Sequence, residues 1–245
     1  MPELHVDIEA PDGPMPTFTC WPAREERGDG PFPAIVFFMD APAIREELYD
    51  MARRFAAEGY FVILPDLFYR FGVIRFPRRN QYSRAVWKAI MAELSNAMVM
   101  DDTRRLLDYM AGQPQVKAGA KACIGYCMSG RIVTTAAAEF ADTFAVSASL
   151  YGVGIVTAKD DSPHLRVPEI KGEIYYGFAE TDSTVPSYVI PTLAAALDAA
   201  GTNYVLEVHP GTEHGFCFPL REVYDAAAAE KVYAIFMDMC RRKLS

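Results

Sequence analysis

Chemistry in this chain would be built around one stretch, Gly125-Tyr126-Cys127-Met128-Ser129-Gly130. It follows Lys121-Ala122-Cys123-Ile124, which predicts a buried strand, and precedes an alanine-rich helix over residues 131–140. A strand, a sharp turn and a helix, with one nucleophilic side chain at the turn, form a nucleophile elbow. Such a turn strains the backbone at the nucleophile, so its neighbours must be small, as Gly125, Ser129 and Gly130 are. The N–H groups and positive dipole end of the helix would favour a thiolate at Cys127 and could hold a developing oxyanion. Free cysteine is also among the most often buried residues, so the bland reading of Cys127 is a small core hydrophobe, as expected for Cys123.

A cysteine nucleophile needs a base, and the base needs an orienting acid. Where strand, elbow and helix alternate, the chain order is nucleophile, acid, histidine. Asp182 and His214 lie in that order, each in a loop after a predicted strand. Asp182 could instead cap a helix starting near Pro186, with Glu180 a competing acid. His214 could be a surface histidine, and His209 sits nearby at a strand end. His5 and His164 lie in segments with no candidate nucleophile.

The elements that would position these residues alternate in type. Val6 and Ile8 alternate with charged residues, and residues 18–21 follow a turn; these predict two N-terminal strands. Continuous apolar runs over 33–39 and 60–64 predict strands buried on both faces. Further strands are expected over 145–151, 173–177 and 204–208. Helices are expected over 44–58, 103–111, 186–200 and 223–243, with Gly59 and Gly201 as stops. The fold class that follows is α/β, a mainly parallel twisted sheet with helices on both faces. Working residues in such sheets sit past the carboxyl ends of the strands. Residues 68–100, with Arg70, Arg75, Arg78, Arg79 and Arg84 among aromatics, read as an excursion holding one or two helices that covers a pocket.

At 245 residues the simplest organisation is a single domain over 1–245. A net charge of −8 argues against nucleic acid or an anionic membrane surface as partner. No apolar stretch reaches membrane-spanning length, and the acidic first ten residues are unlike a signal peptide. Five cysteines without paired spacing point to a reducing compartment, hence the cytoplasm. No metal-binding spacing is present, and no metal or organic cofactor is expected. The expected partner is a small-molecule substrate, with the protein a monomer or homodimer.

The chain resembles the dienelactone hydrolase family over nearly its whole length. The residues that carry the likeness are the Gly125–Gly130 hexapeptide, Leu64-Pro65-Asp66-Leu67, Tyr151-Gly152-Val153-Gly154, Asp182 with Val185-Pro186, and His214-Gly215-Phe216. The resemblance implies an α/β-hydrolase fold and ester or lactone hydrolysis through an acyl-thioester. It implies Cys127 as nucleophile, His214 as acid and base, and Asp182 as the residue holding the imidazole. The N–H groups of Met128 and Ala41 would form the oxyanion hole. The family's activating glutamate corresponds to Asp40, one methylene shorter, which either reaches the thiol or caps the helix near Ile44. Family members that take dienelactone hold its carboxylate with arginines, one of them four residues past the histidine. That position here is Phe218; Arg221 follows three residues later, and Arg84 is the match in the covering segment. Loss of a guanidinium removes bidentate, charge-assisted binding, so dienelactone is not the expected natural substrate. Phe216, Phe218 and Tyr151 suggest a more apolar pocket, the alternative being that they are core. A thioesterase or general carboxylesterase could use the same residues. A small-ligand binder that senses oxidants through Cys127 without turnover is the reading of a different class.

Overall fold

The computed structural model describes residues 1–76 and 80–244. Two compact units divide the chain, residues 1–119 and 120–245. In the first unit, β1 (Glu3–Ala10) and β2 (Gly13–Cys20) form an antiparallel hairpin. A single helical turn, α1 (Arg24–Arg27), precedes β3 (Ala34–Phe38) and α2 (Glu46–Ala57), and β4 (Phe61–Pro65) follows. The strand order is β1-β2-β4-β3, with β2 and β4 antiparallel and β3 and β4 parallel. Every residue of β3 and β4 is buried, as their unbroken apolar runs require. Leu48, Ala52, Phe55 and Ala56 form the buried stripe of α2, and Phe55 meets Phe37 edge to face.

The excursion after β4 holds α3 (Gln81–Glu93) and the start of α4 (Asn96–Ala111). Asn80 and Ser83 form a capping box on α3, whose buried residue is Ile90. Ser95 caps α4 by accepting from Met98 N–H, so this helix begins well before residue 103, where the sequence pattern placed it. Arg70 anchors the near end of the excursion, donating to both oxygens of buried Asp102 on α4 and to Asp12 in the β1–β2 turn. Arg78 and Arg79 lie outside the described residues.

In the second unit four parallel strands stand in the order β5-β6-β7-β8: β5 (Lys121–Tyr126), β6 (Phe144–Leu150), β7 (Glu173–Thr181) and β8 (Tyr204–Glu213). Helix α5 (Ser129–Glu139) follows β5, α6 (Val189–Ala200) links β7 to β8, and α7 (Ala226–Leu244) closes the chain. Small residues let α5 sit buried on most of its surface, from Ile132 to Ala138. Strand β7 runs four residues past Gly177, the end expected from sequence, because Thr181 still pairs with Glu213 across an irregularity. The carboxyl ends of these four strands carry Cys127, Tyr151, Asp182 and His214.

Candidate active site

Cys127 follows β5 with φ at 56°, the left-handed region that a residue with a Cβ enters only under strain, at a cost of about 1–3 kcal/mol. Three hydrogen bonds hold it there. Its N–H donates to Leu150 O, and its carbonyl accepts from Gly130 N–H and Val153 N–H. Gly125 is forced to be small: a Cβ would lie 2.7 Å from Ser129 Cβ and 2.9 Å from Val133 Cγ2. Met128 heads α5, so its N–H belongs to the positive end of that helix. The thiol is half-buried, whereas Cys20, Cys123, Cys217 and Cys240 are buried. Burial pushes the thiols of Cys20 and Cys123 up to about 12, which leaves them inert.

His214 stands one residue past β8, its N–H donating to Thr181 O at the end of β7. Its Nδ1 lies 2.6 Å from Asp182 Oδ2, and Cys127 is near enough to act on its charge. With Nδ1 engaged by the carboxylate, Nε2 is the nitrogen left for the sulfur. Burial works to lower the imidazole's pKa, but the hydrogen bonds and charges of Asp182 and Cys127 outweigh it and raise it to about 9. Burial likewise works to raise Asp182, yet its bonds to His214 and Thr184 hold it below the usual carboxylate range. Imidazole and carboxylate are thus joined by a hydrogen bond within the second unit, and Cys127 acts on the ring electrostatically.

The competing assignments fall away on geometry. Helix α6 starts at Val189 with Tyr188 at its cap, so Asp182 does not cap it. Glu180 instead accepts from Gly211 N–H at 2.8 Å, tying β7 to the extension of β8. His209 is buried, 2.8 Å from the hydroxyl of Tyr175. The imidazole of His164 is engaged by Ser162, and His5 packs against Phe18. One contributor escaped the sequence reading. Thr184 donates its N–H and hydroxyl to Asp182 Oδ1, at 2.8 and 2.6 Å, and its oxygen lies 3.1 Å from His214 Nδ1. The spacing Asp-x-Thr, the signature of a side chain closing a turn on the backbone two residues on, was the available signal.

Tyr151, Phe216 and Phe218 are fully buried. The ring of Tyr151 meets the His214 imidazole edge to face at 5.0 Å and Phe216 at 5.3 Å. Phe218 packs on Tyr126 at 5.2 Å and is covered by the Arg221 guanidinium at 4.2 Å. Tyr151 thus packs on the imidazole, and Phe216 and Phe218 pack on Tyr151. Gly215 has φ at 98°, and a Cβ there would lie 2.0 Å from Arg221 Nη1, so this glycine admits the guanidinium beside the histidine loop.

The remaining expected residues belong to the first unit. Asp40 is buried at the end of β3 and both its oxygens accept from Arg45, which also donates to Ala43 O and Glu47. The cap of α2 is Arg45, so Asp40 does not cap it. Ala41 is buried in the same loop, and Arg84 is exposed on α3.

Comparison with known proteins gives one answer. A family model, the dienelactone hydrolase family, matches residues 21–244. A protein of Synechocystis sp., provisionally named carboxymethylenebutenolidase, is 26% identical over 214 residues, covering 84% of this chain and 86% of that protein. One of the same provisional name from Escherichia coli K12 is 28% identical, covering 85% of this chain and 76% of that protein. Among solved structures, a provisionally named dienelactone hydrolase from Klebsiella pneumoniae superposes with a TM-score of 0.86 at 21% identity over 98% of both chains. A dienelactone hydrolase-like promiscuous phosphotriesterase from metagenomic libraries gives 0.77 at 16% identity over 99% of both. These neighbours share the α/β-hydrolase fold. No helix among the described residues is long and apolar enough to cross a membrane.

Proposed function

The chain belongs to the dienelactone hydrolase family of ester and lactone hydrolases, and from that premise we propose that Cys127 is the nucleophile of its reaction, acting through an acyl-thioester. The observation that carries the reading is the imidazole of His214, hydrogen-bonded to Asp182 at 2.6 Å and raised in pKa, against burial, by Asp182 and Cys127. An imidazole held by a carboxylate and acting on a cysteine is the base that a sulfur nucleophile needs.

Cys127 Sγ attacks the carbonyl carbon, and the C=O electron pair moves onto oxygen near the Met128 N–H. Ala41 is the second donor that the family resemblance offers. Collapse of the intermediate breaks the C–O bond to the alcohol, and the departing alkoxide takes the proton of His214. A water then gives its proton to His214 and attacks the thioester, the sulfur leaves as thiolate, and the carboxylic acid departs. Asp182 keeps Nδ1 protonated throughout, so that Nε2 is the nitrogen that exchanges protons. The proposed substrate is an ester or lactone without a carboxylate at the place the family's arginine would hold, because Phe218 occupies that position and is buried.

Alkylation with iodoacetamide should mark Cys127 and abolish cleavage of p-nitrophenyl acetate and of simple lactones in parallel. Full turnover after complete labelling would overturn the reading. Reversible oxidation of Cys127 with no turnover of any ester would replace it with an oxidant sensor. A panel of neutral and carboxylate-bearing esters, with acyl thioesters beside them, tests the substrate class.

A further inference from the structure

We infer that Thr184 is a positioning residue of the site, locking the Asp182 carboxylate and the His214 ring in one arrangement through both its backbone N–H and its hydroxyl. The inference rests on the reading of Cys127, His214 and Asp182 as the reacting set. It starts from counting protons. The Thr184 hydroxyl has one, and the 2.6 Å contact to Asp182 Oδ1 uses it. The oxygen therefore turns a lone pair toward His214 Nδ1, 3.1 Å away. Nδ1 must carry a hydrogen, since an unprotonated nitrogen 2.6 Å from Asp182 Oδ2 would set lone pair against lone pair. The Nδ1–H thus points at two acceptors, Asp182 Oδ2 foremost and Thr184 Oγ1 beside it.

Two consequences follow for the chemistry. The carboxylate is held at both oxygens, Oδ2 by the imidazole and Oδ1 by the two donors of Thr184, so it cannot rotate about its own axis without breaking all three bonds. The ring is held in turn, because its N–H meets acceptors on a single turn, Asp182 to Thr184, and the Asp182 carbonyl accepts from Val185 N–H to close that turn. Donors to the charged carboxylate also favour its ionised form. His214 is the titratable group facing Asp182, and Cys127 faces His214 from the head of α5.

The test uses Thr184→Val, which keeps shape and removes the hydroxyl, Thr184→Ser, which restores it, and Cys127→Ala as control. For Thr184→Val, kcat on p-nitrophenyl acetate should fall roughly ten- to hundredfold with KM little changed, the weight of one hydrogen bond to a charged group. The acid limb of its pH–rate profile should move up by roughly one pH unit, since Asp182 loses a donor. Thr184→Ser should recover both. Wild-type kinetics in Thr184→Val, or a loss uniform across pH that serine does not restore, would overturn the role of Thr184 while an inactive Cys127→Ala leaves the nucleophile reading standing. An active Cys127→Ala would instead remove the reading on which it rests.

Discussion

Gly130 and Gly152 press their backbones together so closely that neither can carry a side chain. A Cβ on Gly130 would lie 2.1 Å from Gly152 Cα, and one on Gly152 would lie 2.8 Å from Gly130 Cα and 2.6 Å from Ser149 Oγ. This contact seats the first turn of α5 against the loop after β6, and so fixes where the Met128 N–H and the Cys127 sulfur stand. Gly152→Ala should destabilise the protein by about 1–3 kcal/mol, as overpacking does, and lower kcat more than its loss of folded protein explains. Thermal unfolding and active-site titration with iodoacetamide on one preparation separate the two effects.

The His214 imidazole should titrate near pH 9 in the intact protein and at lower pH in Cys127→Ala, where the partner that draws a proton onto it is gone. Ring-proton chemical shifts followed with pH report this directly. Because the folded value is above that of an unfolded histidine, the stability it contributes is fully present below about 6.5 and drains away as pH rises through about 9. Turnover should fall over the same upper range, since the imidazolium is the acid that protonates the alkoxide. A flat profile to pH 10 would show that another group supplies that proton.

Asp182→Asn keeps size but exchanges an acceptor for an amide that can also donate. It should lower the imidazole's pKa and reduce kcat on the order of 10²–10⁴-fold, by releasing the tautomer that Nδ1–H now fixes. Glu180→Gln should cost far less, because its partner is the Gly211 N–H and the amide oxygen can still accept.

Arg45 is ion-paired with two buried acids, Asp40 and Glu47. Arg45→Met leaves their charge without that partner and should destabilise the fold by about 3–5 kcal/mol. Adding Asp40→Asn should return part of it, with thermal unfolding as the measure. An Arg45→Met protein as stable as wild type would mean that Asp40 is held by other groups in its loop.

The turn at Cys127 and the strands β3 to β8 were legible because each is written locally, in an apolar run or a glycine spacing. What the sequence left dark depends on partners far along the chain. Helix α4 was missed over its first half because Asp102 interrupts its apolar face, and Asp102 is tolerable inside only through Arg70 and Tyr69. Strand β7 looked finished at Gly177 because its last four residues are held by β8. Phe216 and Phe218 read equally as pocket lining or as core, since sequence cannot tell which wall of a histidine loop an aromatic ring faces.

The pairing of Thr181 with Glu213 has a consequence for motion. Asp182 and His214 are each one residue beyond that pair, so their separation is set by ladder bonds between neighbouring strands and not by the wandering of two independent loops. They form a tandem that should travel as a single piece, keeping its internal alignment while the sulfur, anchored on a different strand and helix, approaches or recedes from it.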